Sequence, residues 1–227
     1  MEEQEKRITR VEQDDKKPSL YWIYLEGSEE PELSVHEDIL VKYRLLKDTL
    51  IEPKLMARIA EENARYRAYA AAVFYAGFKM RSSKEMSAYL KRKEFEEEDI
   101  RYAIERLQQE RVVDDRDYAR MFASQRLRSS QKGSRLIRME LEQRGIPKET
   151  AGHAVEALDD EEERRAALKA GEKKWRSLKG EERDKRMKLT GFLLRRGFPS
   201  DLVRETVRQI QDSAEGEDDA DGGWLDN

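Results

Sequence analysis

The sequence predicts a mainly α fold in which one helical unit occurs three times, with a small β-rich unit in front and a disordered acidic tail behind. Three observations carry that prediction. A six-point pattern of apolar residues recurs at intervals of 51 and then 52 residues. Charged side chains make up 41% of the 227 residues, with only 12 glycines and 5 prolines, a composition of long solvated helices rather than of a thick globule. Residues 6–51, by contrast, hold short runs of aromatic and β-branched residues.

The recurring pattern is plainest around QKGSRLIRMELEQRGI, residues 131–146. With Ile146 as origin, apolar residues stand at −9 (Ile137), −5 (Leu141), 0, +5 (Ala151), +9 (Val155) and +12 (Leu158). The same ruler on Phe95 picks out Met86, Leu90, Phe95, Ile100, Ile104 and Leu107. On Phe198 it picks out Leu189, Leu193, Phe198, Val203, Val207 and Ile210. Steps of three and four put these side chains on one face of each of two helices. Between the helices, Gly145 and Gly197 suit a left-handed C-cap, and Pro147 and Pro199 suit a helix start. Glu94 stands where those glycines stand, so the first repeat is expected to turn by another geometry. A third, more variable helix precedes each pair. The expected segments are a β-rich unit 1–52, repeats 53–111, 112–158 and 159–211, and the tail 212–227.

Taken in order, Ile8 to Val11 and LYWIYL (Leu20–Leu25) flank the polar DDKKPS and predict a β-hairpin. Trp22 is either part of a small core or a base-stacking ring. Ser34 and Glu37 have the spacing of a capping box opening a short helix through Tyr43. Residues 57–76 form the alanine-rich first helix of repeat one, ended by Gly77 and Phe78, and Ser82 and Glu85 make a second capping box. In repeat two an aspartate of VVDD caps a helix whose core face uses Tyr118, Phe122 and Leu127, and Lys132 and Gly133 turn the chain. Repeat three opens on DDEEE, where negative charge suits a helix N-terminus, and turns again at Lys179 and Gly180. The tail is low in apolar residues and wholly acidic among its charged residues, a disordered composition; it either competes with DNA for the basic body or simply solubilises the chain.

The net charge of −4 hides a strong asymmetry. Residues 1–63 carry −6, residues 64–211 carry +9, and residues 212–227 carry −7. A basic body therefore lies between an acidic front and an acidic tail. Cysteine is absent, which excludes disulfides, thiolate metal sites and a cysteine nucleophile. MEEQEKR has no apolar signal region, and the longest apolar run, residues 68–78, falls short of the roughly 20 residues needed to span a bilayer. These features predict a cytoplasmic protein without a membrane partner.

Nothing in the chain predicts catalysis, a cofactor or a metal. The two histidines, His36 and His153, stand apart, and His153 falls between core positions as a satisfied structural residue. KGSRL has a lysine and one glycine but neither the second glycine nor the strand of a phosphate-binding loop. The carboxylates are interleaved with Lys and Arg as on solvated helix faces.

The strings MRSSKEMSAYL, VVDDRDYARMFASQR, KGSRLIRMELEQRGI and FLLRRGF, in this order on a three-repeat frame, resemble the RecX family of bacterial RecA regulators. The resemblance covers residues 65–211, and the front unit looks like the N-terminal extension of Gram-positive members. It implies three tandem three-helix repeats in an elongated, curved array. It further implies a non-enzymatic monomer that lodges in the groove of the RecA–DNA filament, binds single- and double-stranded DNA weakly, and mainly inhibits RecA's ATPase and strand exchange in recombination, DNA repair and the SOS response.

On that reading the candidate RecA- or DNA-binding residues are the cations beside the turns. They are Arg81, Lys84, Lys91, Arg92 and Lys93 in repeat one. Repeat two supplies Arg126, Arg128, Lys132, Arg135, Arg138 and Arg144, and repeat three Arg195 and Arg196. Arg128, Lys132 and Arg135 would be neighbours if helical order ran through the turn. The same residues also fit a purely structural account, because cations near helix C-termini favour the macrodipole. Two other functions fit the pattern: a RecA-independent DNA binder using the basic repeats, and a helical scaffold for another acidic or helical partner.

Overall fold

The computed structural model describes residues 5–221, with side chains for residues 5–214. Its elements run β1 (Lys6–Gln13), β2 (Leu20–Leu25), β3 (Leu33–His36), α1 (Glu37–Tyr43), β4 (Leu50–Ile51), α2 (Pro53–Ala76), α3 (Ser83–Arg92) and α4 (Glu97–Gln109). They continue with α5 (Asp115–Ser130), α6 (Ser134–Gln143), α7 (Lys148–Glu156), α8 (Asp160–Ser177), α9 (Glu182–Arg195) and α10 (Ser200–Asp221). The chain divides between Val113 and Asp114 into two units. The first holds the β-rich unit and one helix triplet (α2–α4), the second holds two triplets (α5–α7 and α8–α10).

In the first unit the expected hairpin forms, and two further short strands extend it to the order β3-β2-β1-β4. Asp14 makes the hairpin turn, its carboxylate accepting the N–H groups of Lys16 and Lys17 at 2.9 and 2.8 Å. Those bonds hold its carboxyl below the ordinary aspartate value. Trp22 is half-buried, and its Nε1 donates to Asp14 Oδ2 at 3.1 Å, so the indole braces this turn. The capping box expected at Ser34 and Glu37 does not form. Ser34 lies in β3, and the cap of α1 is His36, whose Nδ1 accepts the N–H of Asp38. The strand runs on through His36 and the helix opens at Glu37, so Ser34 lies two residues ahead of the cap position.

Helix α2 serves two cores. Its first half gives Ile59 to the cluster of Ile8, Ile23, Leu25, Val35, Ile39, Leu45 and Ile51. The buried Asn63 then pins the outer strand, accepting from the His36 N–H and donating to the Ser34 carbonyl, both at 2.8 Å. Its second half gives Ala68 and Ala72 to the repeat-one core around Met86, Leu90, Ile100, Ala103 and Leu107.

Every residue of the apolar ruler is buried except Phe95, Ile104, Val155 and Leu158, which are half-buried. The hydrogen bonds explain its spacing. In each repeat the origin residue's N–H reaches back to the carbonyl at −5: Phe95 to Leu90 (3.3 Å), Ile146 to Leu141 (3.1 Å) and Phe198 to Leu193 (3.3 Å). The preceding N–H closes a shorter bond: Glu94 to Lys91, Gly145 to Glu142 and Gly197 to Leu194. This is the Schellman helix stop, in which the residues at −5 and 0 also meet as an apolar pair. The backbone is left-handed at Glu94 (φ 61°), Gly145 (φ 83°) and Gly197 (φ 85°). Repeat one therefore makes the same turn as the others, against expectation, and holds a glutamate where glycine is unstrained.

The other caps follow the sequence. Ser82 and Glu85 form the capping box of α3, and Asp114 accepts the N–H groups of Arg116 and Asp117 at the start of α5. Asp159 caps α8, and Gly180 is left-handed (φ 111°). Helix α10 is continuous through Asp221, so residues 212–221 of the expected tail are helical. The remainder of that tail, 222–227, lies outside the described residues.

Candidate functional site

The second unit shows how two repeats join. Helix α6 begins at Gly133, and its orphan N–H groups are satisfied from repeat three. Gly133 donates to the Arg196 carbonyl (2.9 Å), Arg135 to the Gly197 carbonyl (3.0 Å), and Ser134 to the buried carboxylate of Glu163 (2.7 Å). In return Arg196 Nη1 donates to the carbonyls of Ser130 and Gln131 at the end of α5. The negative end of one helix and a carboxylate thus meet the positive end of another. Two glycines permit the approach. A Cβ on Gly133 would lie 2.4 Å from the Phe198 nitrogen, and one on Gly197 2.3 Å from Leu136.

Around this junction most repeat-two candidates are already engaged. Arg128 forms a two-pronged ion pair with Glu162 (3.1 and 2.9 Å), Lys132 pairs with Glu140, and Arg138 pairs with Glu142 (3.1 Å). Arg126 stands 3.1 Å from Glu140 without hydrogen-bond alignment, and its guanidinium lies 4.9 Å from the Phe122 ring. Arg144 covers the same ring at 4.9 Å and donates to the Tyr118 hydroxyl at 3.3 Å. Arg135 donates to Ser200. Arg128, Lys132 and Arg135 are not one stripe: α5 stops at Ser130 and Gln131 turns left-handed (φ 44°), sending the three to separate partners. A cleft of about 250 Å³ between α5 and α8 gathers Arg128, Arg165 and Lys169 beside Glu162.

The candidates of repeat one lie at both ends of α3. At its start Arg81 stacks its guanidinium 4.1 Å from the Tyr75 ring, and Lys84 is exposed in the first turn. At its end Lys91 pairs with Glu97 (2.6 Å), while Arg92 and Lys93 are exposed. In repeat three Arg195 is exposed and Arg196 serves the clasp. Arg92, Lys93 and Arg195 have no carboxylate within ion-pair distance among the described residues. Each Schellman turn carries a cation just before its left-handed residue: Lys93, Arg144 and Arg196.

The clasp residue Glu163 was not legible as such, because DDEEE reads as a charged helix start and only packing shows which carboxylate turns inward. His153 is exposed rather than structural. It lies at a cleft with Asp114, Asp117 and Glu149, since the α7 period turns Ala151 and Ala154 inward and 153 outward. Among the described residues no group of three His, Asp or Glu side chains could hold a metal ion, and no helix is long and apolar enough to cross a membrane.

One turn locking a helix pair three times over, with cations beside it, defines a tandem helical-repeat protein with a basic edge at each stop. Sequence models of the first, second and third three-helix domains of RecX match residues 68–107, 114–155 and 160–207. The regulatory protein RecX of Oceanobacillus iheyensis is 31% identical over 96% of this chain and 80% of its own length. That of Staphylococcus epidermidis is 28% identical over 93% and 78%. A crystal structure of regulatory protein RecX matches with a TM-score of 0.74 at 27% identity, covering 90% of this chain and 99% of its own. The fold is also that of RecX from Lactobacillus salivarius, with a TM-score of 0.62 at 24% identity. The chain belongs to the RecX family of regulatory proteins.

Proposed function

We propose that this chain is a non-enzymatic, cytoplasmic regulator that binds as a monomer in the groove of the RecA–DNA filament and mainly inhibits RecA's ATPase and strand exchange. The observation that carries the reading is the threefold Schellman turn with cations beside it: Lys91 to Lys93, Arg144, and Arg195 with Arg196. A filament offers its subunits at regular intervals, and a protein with repeated contacts engages several of them. Contacts weak singly become strong when linked. The repeat segments 53–111, 112–158 and 159–211 act as the linked modules.

Within this reading the exposed cations Arg92, Lys93 and Arg195 make the first contacts with phosphate or acidic protein side chains. Arg126, Arg128, Lys132 and Arg138 already have carboxylate neighbours in the chain. That pairing disfavours a RecA-independent DNA binder, because it removes cations that would otherwise release counterions from bare DNA. The test is RecA ATP hydrolysis on single-stranded DNA with added protein. A fall in rate at stoichiometric addition is expected; an unchanged rate at excess, where filaments form, rejects the proposal. A gel shift without RecA that stays tight from about 50 to 200 mM salt would instead support the DNA-binding alternative.

A further inference from the structure

Repeat one carries an apolar surface that the described residues of its own unit leave open. Phe74, on the last turns of α2, and Phe78, just beyond it, are 66% and 68% exposed. Their rings meet edge to face, with centroids 5.0 Å apart. Val73 and Met80 extend the surface at 40% and 45% exposure. Gly77 keeps helical geometry (φ −62°, ψ −20°), so the stripe Arg67, Ala70, Phe74 and Phe78 stays on one face, while Ala68 and Ala72 on the other enter the core. Scattered exposed apolar residues need no explanation, but an adjoining pair of phenylalanines with two aliphatic neighbours is the make-up of an interface.

The segment that carries this surface has charge of one sign. Residues 63–84 contain no aspartate or glutamate, in a chain with 49 of them, and contain Arg65, Arg67, Lys79, Arg81 and Lys84. Arg67 and Lys79 are exposed, and neither they nor Arg81 has a carboxylate within ion-pair distance among the described residues. The Arg81 guanidinium is held over Tyr75, whose ring stacks on Tyr89 with centroids 3.9 Å apart. In repeat two Arg128, Lys132 and Arg138 have carboxylates of their own; here Arg67, Lys79 and Arg81 are left for a partner.

We infer that the Phe74–Phe78 surface docks an acidic segment with apolar anchors on a partner protein. Rings and aliphatic side chains take the anchors, and Arg67, Lys79 and Arg81 take the carboxylates. Unpaired bases fit less well, because the Phe74 and Phe78 rings meet edge to face instead of presenting parallel platforms, and Val73 and Met80 add aliphatic area. The chemistry of the occupant follows from the surface itself; its identity as the RecA protomer rests on the function proposed above.

The test compares wild type with a Phe74→Ser/Phe78→Ser double variant and with Lys79→Glu, each checked for unchanged helical content and thermal unfolding. Affinity is measured for RecA filaments held on single-stranded DNA with a slowly hydrolysed nucleotide, and for the bare DNA. The double variant is expected to bind filaments at least about tenfold more weakly, with bare-DNA affinity unchanged. Lys79→Glu should lose less, and the loss should shrink as salt rises. Wild-type binding with an unimpaired double variant overturns this inference alone. A wild type that does not bind filaments overturns the proposed function and this inference with it. An equal loss on bare DNA would assign the surface to bases, and a dimer on gel filtration that the variant abolishes would assign it to a second copy; either result overturns the inference.

Discussion

At Glu94 the backbone takes φ 61°, where its counterparts are Gly145 and Gly197. A side chain in that conformation costs roughly 1–2 kcal/mol, part of which glycine returns through the entropy of the unfolded chain. Glu94→Gly is therefore expected to stabilise the protein by about 1 kcal/mol, read as a higher urea midpoint with unchanged slope; a lower midpoint would contradict the strain. Asp114 gives a second prediction at this scale. The backbone N–H groups of Asp117 and Arg116 hold its carboxyl below the ordinary value. Its charge thus stabilises the fold above the unfolded aspartate value, near pH 4, and the contribution is lost as pH falls through the lowered folded value. Asp114→Ala should cost about 1 kcal/mol near neutral pH, with the gap from wild type closing in acid. A gap independent of pH would mean that the carboxylate is not the cap that matters.

Among the elements, the clasp between α6 and the α9 turn makes the sharpest demand on sequence. Gly133 and Gly197 are in backbone-to-backbone contact, where a Cβ would sit 2.3–2.4 Å from its neighbours. No rotamer relieves such a clash, and at Gly197 the left-handed φ adds strain. Gly133→Ala or Gly197→Ala should each cost about 3 kcal/mol or more. Glu163→Ala should cost about 1–3 kcal/mol by leaving the part-buried Ser134 N–H without its acceptor. Calorimetric unfolding checks both; a midpoint unmoved by Gly133→Ala would show that the repeats part easily. Gly145 and Gly197 were legible as helix stops from their place before an apolar plug and a proline. That Gly133 and Gly197 face each other was not, because their contact spans 64 residues and leaves no local mark. The capping box at Ser34 shows the converse: its spacing was right, but β3 runs on through His36 and moves the cap two residues along.

Across the whole molecule, the candidate cations sort into those engaged by the protein's own carboxylates, rings or carbonyls and those left exposed. Reversing charge at Arg92, Lys93 and Arg195 is expected to change stability by no more than about 0.5 kcal/mol while weakening filament binding. Arg128→Glu would face Glu162 and should destabilise the fold first. Filament titration and urea unfolding of the two variants separate these outcomes; equal binding loss without unfolding in both would mean that internal pairing does not decide availability. The turn cations could be chosen from the sequence because they recur at one register. Which of them keep a free charge depended on Glu140 and Glu162, acidic residues that nothing in the sequence pairs with Arg126, Lys132 or Arg128.

By itself the sequence determined the three helix pairs, their stops, the core face of each and the basic body between acidic ends. Those features follow from side-chain period and from the local geometry of glycine and proline, which act over a few residues. The tertiary structure decided which glycines meet, which carboxylate turns inward at the clasp, and which cations and phenylalanines remain uncovered. Each of these depends on surfaces brought together from distant parts of the chain, where periodicity carries no information about the neighbour.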